Sequence, residues 1–123
     1  MTSYQLDEKR RRIVIEAHGH FGSADAREVL ARAQADGAWS YAWLYDFTHA
    51  TLDLVNVEID GMMQLATRQA ETLAPRGPVA VVAPDPDAYW KACRYAALSR
   101  RVFRVQVFRD RAEAEAWLDG ATA

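Results

Sequence analysis

The chain has 123 residues, of which half are hydrophobic and about a quarter charged, with a formal net charge of −2 at pH 7. These values predict one globular domain over residues 1–123 and disfavour a nucleic-acid-binding protein, which usually carries a basic excess. A single cysteine excludes an internal disulfide. No apolar run approaches the roughly 20 residues of a membrane span, and the first residues lack a signal-peptide pattern. We therefore expect a cytoplasmic protein without stable membrane insertion.

Strand and helix patterns alternate along the chain. Apolar residues at every second position predict strands, and apolar residues three and four apart predict helices. The predicted elements are strands at 4–6 and 11–18, a helix at 23–35, a strand at 40–47, a helix at 55–73, a strand at 77–83, a helix at 88–99, a strand at 104–108 and a helix at 111–118. The first two strands form a hairpin, and the later crossovers lay their strands parallel.

Helix capping residues mark several of these boundaries. Ser23, Asp85 and Asp110 are the expected helix starts, with Pro86 at a first helical position and Glu113 completing a capping box with Asp110. Gly37 is expected to end the first helix. The segments 19–22 and 48–53 are expected to be loops.

An aromatic row distinguishes the strand at 40–47. Alternation along this strand places four rings on one face, those of Tyr41, Trp43, Tyr45 and Phe47. Each ring buries roughly 150–250 Å², so the row is rarely left in water. Three interpretations stay open, namely a packed core, a homodimer interface and the floor of an apolar pocket. Met62 and Met63 on the next helix suit either packing or an adaptable cavity.

Polar residues gather where the parallel strands are expected to end, the usual place for a ligand in an open α/β sheet. They are His18, His20, Asp46, Thr48, His49, Asp85, Asp87 and Asp110. The histidine spacing is too common to indicate a metal, and Asp85 and Asp110 are already explained as helix caps. Nucleotide-binding and hydrolase signatures are missing from the sequence. We therefore predict no catalytic residue, no metal site and no cofactor.

For two further features of the sequence, we favour a structural role over a functional one. Cys93 lies on the apolar side of its predicted helix and is expected to be an inert packing residue. A basic strip, which would otherwise suggest a bound phosphate or headgroup, is expected to be a solvated face; it comprises Lys91, Arg94, Arg100, Arg101 and Arg104.

Three segments of the chain are informative together, namely GPVAVVAPD at 77–85, Ala88-Tyr89-Trp90 and VFRDRAEAEAWL at 107–118. With these segments the chain resembles the SpoIIAA-like branch of the STAS (sulfate transporter and anti-sigma factor antagonist) superfamily, over residues 12–118 and most strongly from Gly77 onward. It implies an α/β fold of order β-β-α-β-α-β-α-β-α, with a mixed, mostly parallel sheet and helices mainly on one face. STAS antagonists act as phosphorylation switches, but Leu54 stands where the acceptor hydroxyl would be.

Two binding functions follow, and neither is enzymatic. The first hypothesis is a carrier of an apolar or lipid-like small molecule, which the similarity of this branch to CRAL-TRIO carriers implies. Its expected ligand contacts are Trp43, Tyr45, Phe47, Met62, Met63 and Tyr89. The alternative is a protein–protein regulatory module, either a homodimer or paired with another protein, acting through the sheet face.

Overall fold

The computed structural model describes residues 1–53, 60, 61, 64, 68, 76–100 and 102–122. The strands are β1 (Thr2–Asp7), β2 (Arg12–Phe21), β3 (Ala42–Leu52), β4 (Val79–Val82) and β5 (Val105–Phe108). The helices with defined bounds are α1 (Ser23–Ala35), α2 (Pro86–Ser99) and α3 (Arg111–Thr122). Residues 60, 61, 64 and 68 are also helical. The remainder of the helix predicted over 55–73 lies outside the described residues.

The described strands form one sheet in the order β1-β2-β3-β4-β5. β1 pairs antiparallel with β2, while β2, β3, β4 and β5 are parallel neighbours. The predicted hairpin and the predicted parallel crossover from β4 to β5 are confirmed. β1 and β5 are the edge strands of this sheet.

The two segments predicted as loops after the second and third strands are largely strand. β2 continues through Gly19 and His20 to Phe21, and β3 continues to Leu52. His18 to Phe21 pair in register with His49 to Leu52, after a bulge that follows Glu16. The prediction was wrong because hydrogen bonds from a parallel neighbour keep polar residues extended, and local composition does not show such pairing.

The predicted capping residues Asp85 and Asp110 each accept a backbone hydrogen bond at the start of a helix, whereas Ser23 does not cap α1. Asp85 caps α2 by accepting a hydrogen bond from the N–H of Ala88 at 3.1 Å. The prediction that Ser23 caps α1 was wrong, because the N-cap is Gly22, whose N–H donates to the Asp25 carboxylate at 2.9 Å. Gly37, with a φ of +68°, follows α1 in the left-handed conformation that favours glycine.

The main core lies between one face of the sheet and helices α1 and α2. The strand residues predicted to share a face, Ile13, Ile15 and Ala17, are all buried in it. α1 contributes four buried side chains to the same cluster, namely those of Ala26, Val29, Leu30 and Ala33. α2 contributes Ala88 and Ala92. Small residues let α2 lie close to the sheet.

A smaller cluster covers part of the opposite face. Ala114 and Leu118 of α3 are fully buried against Leu44 and Val82. The predicted distribution is therefore confirmed, with two of the bounded helices on one face and α3 on the other. In the described part of the chain, no helix is long and apolar enough to cross a bilayer.

Candidate functional site

The aromatic row of β3 is part of the main core. Trp43 is completely inaccessible to solvent, and Tyr45 and Phe47 are buried with it. Their rings follow one another with centroid separations of 6.3 and 5.8 Å, and Phe21 of β2 contacts Phe47 at 4.9 Å. Of the three interpretations that the sequence left open, the packed core describes these residues in the structure.

Four of the six predicted ligand contacts belong to this one cluster. Tyr89 of α2 is half-buried and packs against the cluster that holds Trp43, Tyr45 and Phe47. The guanidinium carbon of Arg109 lies 4.4 Å from the centre of the Tyr89 ring. The other two contacts, Met62 and Met63, lie outside the described residues. Ligand binding by all six therefore stays a prediction.

Arg76 is a buried cation at the end of this core. Its guanidinium carbon lies 4.1 Å from the Trp43 ring centre, 4.5 Å from that of Phe103 and 5.7 Å from that of Trp39. Nη1 donates to the Tyr95 hydroxyl at 3.1 Å, and Nη2 donates to the Tyr45 hydroxyl at 3.2 Å. We refer to the five surrounding side chains as the aromatic cage; they are Trp39, Trp43, Tyr45, Tyr95 and Phe103.

Among the described residues, the polar partners of Arg76 in the aromatic cage are two tyrosine hydroxyls. Burial raises the pKa of the Tyr45 hydroxyl to about 12 although Arg76 opposes the shift, so this hydroxyl is neutral at physiological pH. Burial lowers the pKa of Arg76, but its interactions with Tyr95 and Tyr45 raise that pKa by more. The net pKa is therefore above the ordinary value, and the guanidinium stays protonated. Within the described residues no carboxylate forms an ion pair with Arg76. Arg76 was not predictable as a site residue, because nothing in Arg76-Gly77-Pro78 distinguishes a buried arginine from one in a connecting turn.

The polar residues at the carboxyl ends of the strands form a different kind of cluster. Nη1 of Arg111 contacts Glu16 Oε1 and Asp46 Oδ2, each at 3.1 Å, and so ties the start of α3 to β2 and β3. His18 and His49 stack with ring centroids 5.5 Å apart, and both are exposed. No group of three metal-ligating side chains occurs among the residues that the structure describes. Ion pairs between α3 and the strands β2 and β3 therefore occupy the carboxyl end of the sheet.

The basic strip on α2 is partly neutralised. Lys91 contacts the Asp87 carboxylate at 2.9 Å and donates to the Leu52 carbonyl at 2.7 Å. Arg94 contacts Asp60 at 3.2 Å. Cys93, predicted to be a packing residue, is half-buried. Arg101 lies outside the described residues.

Trp90 of α2 is exposed over 70% of its surface, although it neighbours the core residue Tyr89 in sequence. Leu98, two turns further along the helix, is 43% exposed. The sequence contains Trp90 in the segment that resembles the SpoIIAA-like proteins, but the residue was not predicted as a functional one. A helical-wheel position alone does not distinguish a packed tryptophan from an exposed one.

Two solved structures are similar to this one over nearly the whole chain. An uncharacterised protein of the DUF3478 family from Shewanella loihica PV-4, with a SpoIIAA-like fold, matches with a TM-score of 0.60 and 14% identity over 95% of this chain and 93% of its own. The anti-sigma factor antagonist SpoIIAA in its unphosphorylated form matches with a TM-score of 0.52 and 19% identity over 96% of this chain and 99% of its own.

No protein-family model matches the chain, and no curated protein matches its sequence significantly. Both of these proteins are less than 25% identical to this chain in sequence, so the similarity supports a common fold and no shared function. The mixed sheet of the described residues, with β1 antiparallel to β2 and the other neighbours parallel, is consistent with a SpoIIAA-like fold. The chain therefore has a SpoIIAA-like fold.

Proposed function

We propose that this protein is a non-catalytic binding module that acts by contact with another protein, and that Trp90 is the anchor of that contact. The observation that carries the proposal is the 70% exposure of the Trp90 side chain on α2. An indole of this size in water is unfavourable by roughly 25 cal/mol for each Å² of apolar surface. Tryptophan is also one of the residue types enriched among the side chains that dominate binding energy at protein interfaces.

The surroundings of Trp90 suit a mixed interface. Arg94, one turn along α2, lies on the same side of the helix as Trp90, and Ala97 follows one turn later. Ala97 is exposed and small, so it leaves room beside the indole for a partner side chain. Arg100, just beyond the helix, is also exposed. Because Arg94 already pairs with Asp60, a partner with an apolar pocket for Trp90 and an acidic group facing Arg100 would complement this surface.

The similarity in fold to SpoIIAA, an anti-sigma factor antagonist, supports a role in protein contacts. The packed state of the aromatic row supports it as well, because buried rings are not available as an exposed sheet-face interface. The surface that we propose therefore differs from the sheet face expected from the sequence.

Photo-crosslinking tests the anchor directly. A photoreactive phenylalanine analogue placed at Trp90 is expected to cross-link one protein in cells of the source organism. The same analogue at Ala112, an exposed residue of α3 on the other side of the sheet, is the matched control. Equal cross-linking patterns from the two positions would overturn the proposal.

A stability measurement completes this test. Because Trp90 is exposed, Trp90→Ala should change the free energy of unfolding by less than about 0.5 kcal/mol. The same variant should weaken binding to the cross-linked protein by at least about 2 kcal/mol if Trp90 is an anchor. A destabilised variant would show that the indole packs against the fold.

The carrier hypothesis and the homodimer stay predictions. A carrier needs a cavity between the aromatic row and the segment that contains Met62 and Met63, and that segment lies outside the described residues. Native mass spectrometry separates the three functions. An adduct of a few hundred daltons that is lost on denaturation would favour the carrier, a clean dimer would favour self-association, and a clean monomer would favour a different protein partner.

A further inference from the structure

Arg76 and the aromatic cage around it contain two buried hydrogen-bond donors that have no acceptor in the described part of the chain. A guanidinium has five N–H groups. Two hydrogen bonds to tyrosine hydroxyls engage Nη1 and Nη2 of Arg76, while its Nε is buried and unpaired. The indole Nε1 of Trp39 is likewise buried without a partner. By contrast, Nε1 of Trp43 is satisfied, because it donates to the Trp39 carbonyl at 3.2 Å.

One of these donors belongs to a cation that has no carboxylate partner among the described residues. The Arg76 residue is only 8% exposed, and the described residues place rings and hydroxyls around it instead of a carboxylate. Cation–π contacts offset part of the cost of burying the charge, and hydrogen bonds to the hydroxyls of Tyr45 and Tyr95 offset a little more. Neither supplies the negative charge that normally accompanies a buried guanidinium.

We propose that Arg76 and Trp39 form a binding site for an oxyanion, that is, for a carboxylate or phosphate group. Such a group accepts several hydrogen bonds at once and pairs with the planar fork of an arginine. Nε of Arg76 and Nε1 of Trp39 are the donors available to it. The hydroxyls of Tyr45 and Tyr95 accept from Arg76 through their oxygens, so each keeps its own hydrogen to donate to the anion.

The rings of the cage define the rest of the ligand. Trp43 and Phe103 flank the guanidinium with apolar surface, so the part of the ligand next to the anionic group is expected to be apolar or small. A short alkyl carboxylate and inorganic phosphate share the required oxyanion chemistry and differ in this apolar part. The site lies where β3, β4 and β5 begin, because Trp39, Arg76 and Phe103 each precede one of these strands.

Calorimetric titration and thermal unfolding of the full chain test the site with three probes. They are sodium decanoate, the uncharged decanol, and inorganic phosphate, each compared with sodium chloride at the same ionic strength. Decanoate or phosphate should raise the unfolding temperature and bind, whereas decanol should bind at least tenfold more weakly than decanoate. Stabilisation by decanoate alone would assign an amphipathic carboxylate, and stabilisation by phosphate would assign a small oxyanion. If neither anion exceeds chloride, the proposal is wrong.

Two variants separate the site from general effects on the fold. Arg76→Met removes the charge and keeps an unbranched side chain, and Trp39→Phe removes the indole N–H and keeps a ring. Arg76→Met should weaken anion binding by about tenfold to a hundredfold, the range for a hydrogen bond to a charged group, and Trp39→Phe by several-fold. The control is Arg27→Met, which removes an exposed arginine of α1.

If Arg76→Met does not fold, Trp39→Phe alone decides the test. Wild-type affinity in every folded cage variant would overturn the proposal. Binding of a protein through Trp90 involves a different surface, so either proposal can fail while the other holds.

Discussion

The guanidinium carbon of Arg76 lies 4.1 Å from the centre of the Trp43 ring, and solvent does not reach that ring. Arg76 comes shortly before β4, whereas Trp43 belongs to β3, so the contact joins the entrances of two neighbouring parallel strands. The long stem of the arginine also fills space in the core, as charged side chains often do below their polar ends. Packing and charge therefore make separate contributions at one position.

Substitution of Arg76 separates these contributions. Arg76→Ala should lower the free energy of unfolding by about 2–5 kcal/mol, because it leaves a cavity beside Trp43 and Phe103. Arg76→Met fills most of that space and removes the unpaired charge, so it should remain within about 1 kcal/mol of the wild type. Urea unfolding without added ligand, followed by tryptophan fluorescence, measures both values. Equal, large losses in the two variants would mean that the charge itself stabilises the ligand-free fold.

The backbone at Gly77, just before β4, lies very close to the backbone just before β3. A Cβ at this residue would lie 2.0 Å from the carbonyl oxygen of Tyr41 and 2.6 Å from that of Ser40. Both atoms belong to the backbone, so neither can rotate away. Gly77→Ala should therefore cost about 3 kcal/mol or more, because the two strands must separate.

Gly120 is the matched control for that substitution. It lies in α3, and a Cβ built there meets nothing within 4 Å. Gly120→Ala should raise the free energy of unfolding by up to about 1 kcal/mol, since alanine favours the helix. Circular dichroism during urea unfolding gives both values. A Gly77→Ala variant as stable as the wild type would show that the strand entrances tolerate a wider separation.

Arg12 connects the opposite face of the sheet to the last helix. Its side chain is 3% exposed and contacts the Asp119 carboxylate, which is 66% exposed, at 2.6 Å. Asp119→Ala should cost about 1–3 kcal/mol, because the buried guanidinium loses its charged acceptor. The double variant Arg12→Met/Asp119→Ala should recover much of that loss, since no buried charge remains.

The exposed Glu113 provides a control on the same helix. Glu113→Ala should change the free energy of unfolding by less than about 0.5 kcal/mol. Chemical unfolding of the three variants completes the comparison. If Asp119→Ala behaves like Glu113→Ala, solvent already satisfies Arg12 and the ion pair contributes nothing.

The general plan of the fold was predictable from the sequence, since alternation and helix caps are local signals. Ile13 and Ile15 share a buried face as their spacing predicts, and Asp85 caps α2. The extension of β2 and β3 through polar residues was not predictable, because it depends on pairing between segments that lie far apart in the chain. The ion pair of Arg12 was not predictable either, because only the tertiary structure brings Asp119 of α3 to it.

The candidate sites were less predictable than the fold. Alternation correctly placed the aromatic row on one face of the sheet. It could not predict that this face is the one covered by α1 and α2. Arg76 and Trp90 are exceptions to the usual burial of their residue types, one a buried charge and the other an exposed indole. Such exceptions arise from tertiary packing, so composition and periodicity give no sign of them.

Asp46 should make the stability of the fold depend on pH. Burial raises the pKa of its carboxyl. The hydroxyl and the backbone N–H of Thr48, together with Arg111, lower that pKa by more, so the net pKa lies below the ordinary value. The backbone N–H of Thr48 donates to Asp46 Oδ1 at 2.9 Å, and Arg111 Nη1 donates to Oδ2 at 3.1 Å. The folded state therefore binds this proton less tightly than the unfolded state does.

The sign of the pH effect follows from this difference. Stability contributed by the Asp46 carboxylate is fully present above the unfolded pKa of about 3.9 and is lost as the pH falls through the lower folded value. Asp46→Asn lacks this contribution at every pH. The difference in the free energy of unfolding between the wild type and Asp46→Asn should therefore be largest near neutral pH and should shrink below about pH 4.

Urea unfolding at several pH values between 7 and 3 measures that difference. Thr48→Val is an informative second variant, because it keeps the β-branched shape and removes the hydroxyl donor to Asp46. It should move the pKa of Asp46 back toward its ordinary value, which carboxyl NMR titration detects. A gap between wild type and Asp46→Asn that stays constant across this range would show that Arg111 and Thr48 hold the protonated acid as well as they hold the carboxylate.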